Sequence, residues 1–407
     1  MGIWTTACRA EREQDWAGRE LVDQLTDTWR RACEHVGLSH AVQVASGTTI
    51  VVPPLARADV SGPDPVLIVK LMPGQLAADF RAPEVAERLS AALGCDRIRV
   101  EPRGLHWVRI ELLTGDPLAV DVITSLPARD HSVSDVGVLV ARDELGRPLA
   151  MPWDQAPHTC VQGATRSGKS VWCYSVLAQL ARLDDVLIAG SDPSGLLLGR
   201  PWAGTRHQDW QATGSGDVLA HRDLLDRLVA EMDARIAELP ARQDKLTAFT
   251  PDRPLIVVVL EELAGLLRLA STTPTPKGEP KVREQLLHAF GRLVSEGHKA
   301  GMRLLVVTQR ADATIIEGFA RGQLGLRLSF RVDDPEALVM LHGQDARAEL
   351  VQHRESPPGV ALVQAPGIAL TRARGPRLPG PSEDADYARY WDEIAGDAPA
   401  RLHQVAA

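Results

Sequence analysis

At 407 residues, 44% apolar and with a formal net charge of −8, the chain is long enough for two domains and a sizeable core. Its longest apolar runs, such as Leu255–Leu260, fall far short of the roughly 20 residues a membrane-spanning helix needs. Residues 1–20 mix both charge signs without a signal-peptide apolar stretch, so a cytoplasmic protein is expected. Cys8, Cys33, Cys95, Cys160 and Cys173 lack CxxC spacing, which argues against a disulfide framework and against a zinc site. The acidic balance weighs against nucleic acid as a partner, yet a local basic ring inside a channel is compatible with an acidic exterior.

In chain order, Trp16–Gly37 carries Leu21, Leu25, Trp29 and Cys33 at four-residue spacing, with Gly37 as the stop, and reads as an amphipathic helix. Thr48–Val52 and Pro65–Leu71 read as strands. Ala82–Leu93 reads as a second helix, with Val85, Leu89 and Leu93 on one stripe and Gly94 just beyond. Arg97–Val100 and Trp107–Leu112 alternate polar with apolar residues, the pattern of half-buried strands. From Val138 the texture changes to strands alternating with long helices. The strands are Thr159–Gln162, Asp185–Ala189, Leu255–Leu260, Arg303–Thr308, Arg327–Val332 and Val360–Val363. The helices are Lys169–Leu183, Asp217–Leu239, Lys281–Ala300 and Pro335–Leu341. Such alternation marks an α/β fold, a parallel sheet with helices on both faces. The expected organisation is a helical segment over 1–39, a small α+β domain over 40–130, the α/β domain over 131–372 and a short C-terminal tail over 373–407.

Gly163, Ala164, Thr165, Arg166, Ser167, Gly168, Lys169 and Ser170 fit the phosphate-loop pattern GxxxxGK[ST]. An apolar strand precedes them, and a helix with Cys173, Val176, Leu177 and Leu180 on one face follows. Glycines at the two ends let backbone N–H groups turn inward on phosphate oxygens. The helix N-terminus adds about half a positive charge facing the same anion. Lys169 would reach the β- and γ-phosphates of ATP, and Ser170 would offer its hydroxyl to Mg²⁺.

Leu255–Leu260 followed by Glu261 and Glu262 reads as a strand covered on both faces, with two carboxylates at its carboxyl end. That is where open α/β sheets bind ligands. Glu261 would hold Mg²⁺ through water, and Glu262 would orient and deprotonate the attacking water. A glutamate at 261, where aspartate is usual, moves the carboxylate outward by about 1.5 Å.

Several segments together resemble FtsK/SpoIIIE-type DNA translocases. They are 157–170 (Pro-His-Thr-Cys-Val-Gln-Gly-Ala-Thr-Arg-Ser-Gly-Lys-Ser), 257–264 (Val-Val-Val-Leu-Glu-Glu-Leu-Ala) and 297–310 (Gly-His-Lys-Ala-Gly-Met-Arg-Leu-Leu-Val-Val-Thr-Gln-Arg), with the run from Ile315–Gly318 to Arg327–Phe330. Val66–Gly74 and Val108–Glu111 are similar to the same family's small α+β domain. The resemblance implies a RecA-like P-loop NTPase in a homo-hexamer that binds ATP between subunits and drives double-stranded DNA through its pore. It implies Gln309 as a γ-phosphate sensor, and Arg310 and Arg321 as DNA contacts that track phosphates without reading sequence.

Two departures stand out. The slot for the family's arginine finger holds His298 beside Lys299, so either Lys299 or Arg303 substitutes or stimulation is weak. The 37 residues from Thr371 to Ala407 leave no room for the family's winged-helix domain. With no membrane segment either, the chain is expected to be a plasmid- or element-borne transfer protein of the Tra type, held at the membrane by a partner protein. Two rivals stay open: a family ATPase moving proteins in secretion, and an ATP-binding regulator or scaffold with little turnover.

Overall fold

A computed structural model describes residues 16–44, 47–61, 64–311, 319–380 and 385–396. The chain divides into two units between Val120 and Asp121, ahead of the boundary at 130 read from the sequence.

The first unit comprises α1 (Trp16–His35), β1 (His40–Val44), β2 (Gly47–Val51), β3 (Leu55–Asp59), β4 (Val66–Lys70), α2 (Ala77–Arg81), α3 (Pro83–Leu93), β5 (Arg97–Pro102) and β6 (Trp107–Leu113). β1 and β2 form a hairpin, and an antiparallel sheet runs in the order β3-β4-β6-β5. Alternation fixes its register: Leu67 lies opposite Ile110, Val69 opposite Val108, and Ile98 opposite Leu112. These apolar residues share one core with Leu25, Trp29 and Cys33 of α1, Phe80 of α2 and Leu89 of α3. Residues 16–35 are therefore part of this α+β unit, not a segment apart from it, because the Leu25/Trp29/Cys33 stripe needs the sheet to cover it. Trp29 Nε1 donates to the Pro53 carbonyl at 2.8 Å, satisfying the one polar atom that stripe buries.

The second unit contains β7 (Val122–Ile123), β8 (Gly137–Asp143), β9 (Pro148–Pro152), β10 (Thr159–Gln162), α4 (Lys169–Ala181), β11 (Val186–Asp192), β12 (Gln211–Thr213), α5 (Val218–Ala237), β13 (Leu255–Glu261), α6 (Leu263–Thr272), α7 (Val282–Glu296) and β14 (Met302–Thr308). It continues with α8 (Phe319–Gln323), β15 (Leu326–Phe330), α9 (Pro335–His342), α10 (Leu350–Arg354), β16 (Val360–Ala365), β17 (Ile368–Arg374), β18 (Pro376–Arg377) and α11 (Asp386–Ala395). Its ten-stranded sheet has the order β12-β11-β13-β14-β10-β15-β16-β17-β8-β9. The first six are mutually parallel and the rest antiparallel.

The apolar run of β13 is continuous because both sheet faces are covered. Leu255, Val257 and Val259 pack in one core with Trp172, Val176 and Leu180 of α4 and with Tyr390 and Ile394 of α11. Ile256, Val258 and Leu260 pack in another with α5, α6 and α7 through Leu228, Leu266 and Leu293. The expected tail beyond 373 thus includes a helix in the core, since Tyr390 and Ile394 supply apolar surface that α4 needs.

The strand–helix alternation predicts β16 within the parallel set, but it runs antiparallel. The connection from β15 begins with Arg331, whose carbonyl accepts from Ala164 N at 2.9 Å, and ends with Gly359, whose N–H donates to the Ser167 carbonyl at 2.9 Å. Both ends lie on loop 163–168, so the chain re-enters the sheet at the edge it left. It can only run back.

Cys33, Cys95, Cys160 and Cys173 are free thiols. Burial pushes Cys33, Cys160 and Cys173 up to about 12, so they serve as core residues. Among the described residues no helix is long and apolar enough to cross a membrane.

Buried histidines replace backbone acceptors in this unit. His158 Nδ1 accepts from Leu304 N at 3.0 Å, His207 Nδ1 from Ile188 N at 3.0 Å, and His353 Nε2 from Val332 N at 3.2 Å. Each role requires the neutral ring. Burial, helped by nearby cations, holds these histidines down to about 3, 3 and 4. Their folded values lie below the unfolded value near 6.5, so the stability they confer is complete above that pH and is lost as pH falls beneath it. Each should cost about 1.4 kcal/mol per pH unit there. Replacing His353 by glutamine, which can still accept from Val332 N, should flatten the loss by one proton in urea unfolding between pH 6.5 and 5. An unchanged slope would refute the assignment.

Candidate nucleotide site

β10 delivers the chain into loop 163–168, and the loop is built on close approaches. A Cβ on Gly163 would stand 2.5 Å from Ser167 Oγ and 2.8 Å from Phe330 Cβ. A Cβ on Gly168 would stand 2.4 Å from Gly359 N, and Gly168 also has φ +97 as the cap of α4. Arg166 takes φ 63, a left-handed conformation that costs a non-glycine residue about 1–2 kcal/mol. Alternation of right- and left-handed residues is what turns successive N–H groups towards one point. Ser167 is buried, and its Oγ finds no partner in the protein. A cradle with a convergent backbone, an orphaned hydroxyl and the start of a 13-residue helix fits a bound phosphate chain. Lys169 is half-buried, while Thr165, Arg166 and Ser170 are exposed.

Across one intervening strand, β14, the acidic end of β13 reaches the same edge. Burial first, and then neighbouring Asp192, push the half-buried Glu261 carboxyl up to about 8, with Lys169 pulling the other way. These causes place Lys169, Glu261 and Asp192 within one electrostatic neighbourhood. Glu262 also has a left-handed backbone, φ 49, where the strand turns into α6. Its N–H donates to the Val307 carbonyl at 2.8 Å, and its Oε2 accepts from Gln309 N at 3.3 Å.

Asp192 lies three residues beyond Ala189, where the apolar pattern of the sequence ends the strand. It closes β11 wholly buried and accepts from Ser194 N, Ser194 Oγ, Gly195 N, Leu197 N and Leu198 N at 2.7–2.9 Å. A signal was present: an apolar run ending in a carboxylate, as in β13, followed by Pro193. Among the described residues no group of three His, Cys, Asp or Glu side chains could hold a metal. Mg²⁺ that bridges substrate phosphates takes only one or two carboxylates and keeps several waters. Ser170 and Glu261 fit that smaller demand.

Residues 309–311 are tethered at three points. Glu262 holds Gln309 N, Asp334 meets Arg310 at 2.5 Å, and Gln162 Oε1 accepts from Ala311 N at 2.7 Å. Gln162, the last residue of β10, is wholly buried and also donates to Ser329 Oγ and the Ala337 carbonyl.

The arginines occupy distinct places in the sheet. Arg310 follows the carboxyl end of β14, whereas Arg321 lies on α8 just ahead of the amino end of the parallel strand β15. They sit at opposite ends of the strands. Arg303 cannot serve a neighbouring subunit: it is 2% exposed, and its guanidinium donates to the carbonyls of Asp154, His298 and Met302. His298 is half-buried and, through burial and Arg303, held down to about 4, so it is uncharged at neutral pH. Lys299 is exposed. Ile315–Gly318, part of the family resemblance, lie outside the described residues.

A test of the cradle compares two glycines of the same φ. Gly168→Ala should lower stability by about 2 kcal/mol or more and abolish binding of a fluorescent ATP analogue. Gly278→Ala, at φ +99 with nothing within 4 Å of the new methyl, should show backbone strain and keep binding. Nucleotide affinity surviving Gly168→Ala would discount the close approach to Gly359.

No family model matches the chain. The DNA translocase FtsK 2 of Ralstonia nicotianae is 26% identical over 320 residues, 70% of this chain and 38% of that protein. The DNA translocase FtsK of Staphylococcus aureus is 26% identical over 264 residues, 60% and 32% respectively. The chain therefore spans well under half the length of these relatives. The transfer protein TraSA of Streptomyces ambofaciens is 30% identical over 331 residues, 76% of this chain and 75% of that protein. Among solved structures, the monomer form of the pCW3 conjugation coupling protein TcpA with ATPγS gives a TM-score of 0.52 at 18% identity, over 90% of this chain and 98% of that one. ATPases 2 and 3 of EssC from Geobacillus thermodenitrificans give 0.50 at 14% identity, over 70% and 53%. At those identities the likeness is one of fold, a P-loop ATPase sheet.

Proposed function

The chain belongs to the FtsK/SpoIIIE-type DNA translocase family, and on that footing we propose that it is an ATP-driven motor moving double-stranded DNA between cells during transfer of a plasmid or integrative element. One juxtaposition carries the reading: the phosphate loop and Lys169 share a sheet edge with Glu261 and Glu262, and Glu262 in turn holds the backbone of Gln309. The transfer role is supported by the likeness to the Streptomyces transfer protein, which extends over three quarters of both chains.

In this reading the N–H groups of 163–170 and Lys169 bind the triphosphate, while Ser170 and Glu261 hold Mg²⁺. When bound, that ion neutralises charge on the β- and γ-phosphates. Glu262 orients the attacking water and takes its proton. Gln309 senses the γ-phosphate, and its N–H bond to Glu262 makes the carboxylate and segment 309–311 move together. The motor acts as a homo-hexamer, with Arg310 and Arg321 meeting DNA phosphates and a membrane-bound partner holding the ring in place. The Arg310–Asp334 pair does not oppose this. Arg310 is 65% exposed, and such surface pairs contribute about 0–1 kcal/mol, so a DNA phosphate can displace Asp334.

Steady-state ATP turnover should rise with duplex DNA, rise less with single strands, and fall at least 100-fold in Lys169→Ala. Wild-type turnover no greater than that of Lys169→Ala would end the motor reading. Turnover indifferent to DNA would favour protein transport or a regulatory ATPase instead. Arg310→Ala should reduce the slope of log affinity for duplex against log salt by about 0.9; an unaltered slope would remove Arg310 from the DNA contact.

A further inference from the structure

Arg166 brings to the phosphate loop a side chain that cradling by backbone N–H groups does not require. It and Glu262 are the two non-glycine residues with positive φ among those described, and Glu262 stands at the acidic edge of the same site. Glycine would adopt φ 63 without strain and would leave every N–H of the loop in place. A long cationic side chain at this strained position adds nothing to the nest itself, and strain of this kind points to use of the side chain.

The guanidinium group beside the loop is committed elsewhere: Arg374, close to Gly359, is held by Asp121 at 2.5 Å. Arg166, by contrast, is exposed and has no hydrogen-bond or ion-pair partner among the described residues. It starts from the stretch of backbone that would enclose the phosphates, between Gly163 and Lys169. A free, always-charged planar donor there matches the geometry of phosphate oxygens.

We propose that the Arg166 guanidinium is a catalytic contact to the γ-phosphate of ATP, supplied by the subunit's own phosphate loop. The proposal rests on the ATP-hydrolysing reading above and deepens it. In the reaction, water oxygen bonds to the γ-phosphorus as the bond to the β–γ bridging oxygen breaks. The electron pair stays with ADP, and the water proton passes to Glu262. Negative charge grows on the oxygens around the break, and Arg166 stabilises it without depending on a cation from a neighbouring subunit.

The experiment uses the full chain with glycine or lysine at 166, reading equilibrium binding of ADP and of ATPγS, thermal unfolding and ATP turnover. Arg166→Gly should unfold at the same temperature as wild type or higher, because strain is relieved. It should bind ADP within about twofold of wild type, bind ATPγS about tenfold or more weakly, and turn over ATP at least about 100-fold more slowly. Arg166→Lys should fall between, keeping charge without the fork. An ATPγS-to-ADP affinity ratio unchanged in Arg166→Gly overturns the assignment. If wild type still shows duplex-stimulated turnover, the motor reading survives that loss. A wild type that binds no triphosphate removes both.

Discussion

The parallel register of β13, β14 and β10 is the constraint on which the site depends. Glu261 lies opposite Val307, and Gln162 opposite Thr308. Three loops of unrelated sequence therefore leave the sheet at one level: the phosphate loop, the Glu261–Glu262 turn and segment 309–311. Strands fixed by hydrogen bonds cannot slip by one residue without sending half of a two-faced apolar run to the wrong core. Leu255–Leu260 thus fixes the position of the carboxylates as firmly as it fixes the sheet.

That edge concentrates unfavourable local features whose cost the rest of the unit offsets. Arg166 and Glu262 carry left-handed backbones, Ser167 Oγ is buried without a partner, and Glu261 is held close to Asp192. Away from the edge, buried side chains of the same unit take the place of backbone partners. The carbonyls around Arg303 and the strand N–H groups at His158, His207 and His353 are all met by side chains. Under the proposed function the features of the edge have a reason. Nucleotide supplies what the edge lacks, so binding should tighten segment 309–311 through the Gln162 and Glu262 tethers.

Much of this was legible in the sequence, and the misses share a cause. GxxxxGK[ST] spacing located the cradle, and an unbroken apolar run ending in two carboxylates located its acidic partner. The hairpin β8–β9 and the strand β17 are not legible in the sequence, because their mixed patterns lack the period of a strand buried on one or both faces. The apolar pattern stops three residues short of Asp192. Arg303 stood as one possible substitute for the finger because a strand beginning with arginine gives no hint that three carbonyls wait for it.

The sequence by itself determined which residues could build a phosphate cradle, which strand carried the carboxylates and that helices would cover both sheet faces. Each of these follows from spacing along a single element. Only the tertiary structure decided that β16 runs antiparallel, that α11 belongs to the core and that Arg303 is committed. Those outcomes depend on what a residue meets across more than a hundred positions of chain, and periodicity carries no record of such meetings.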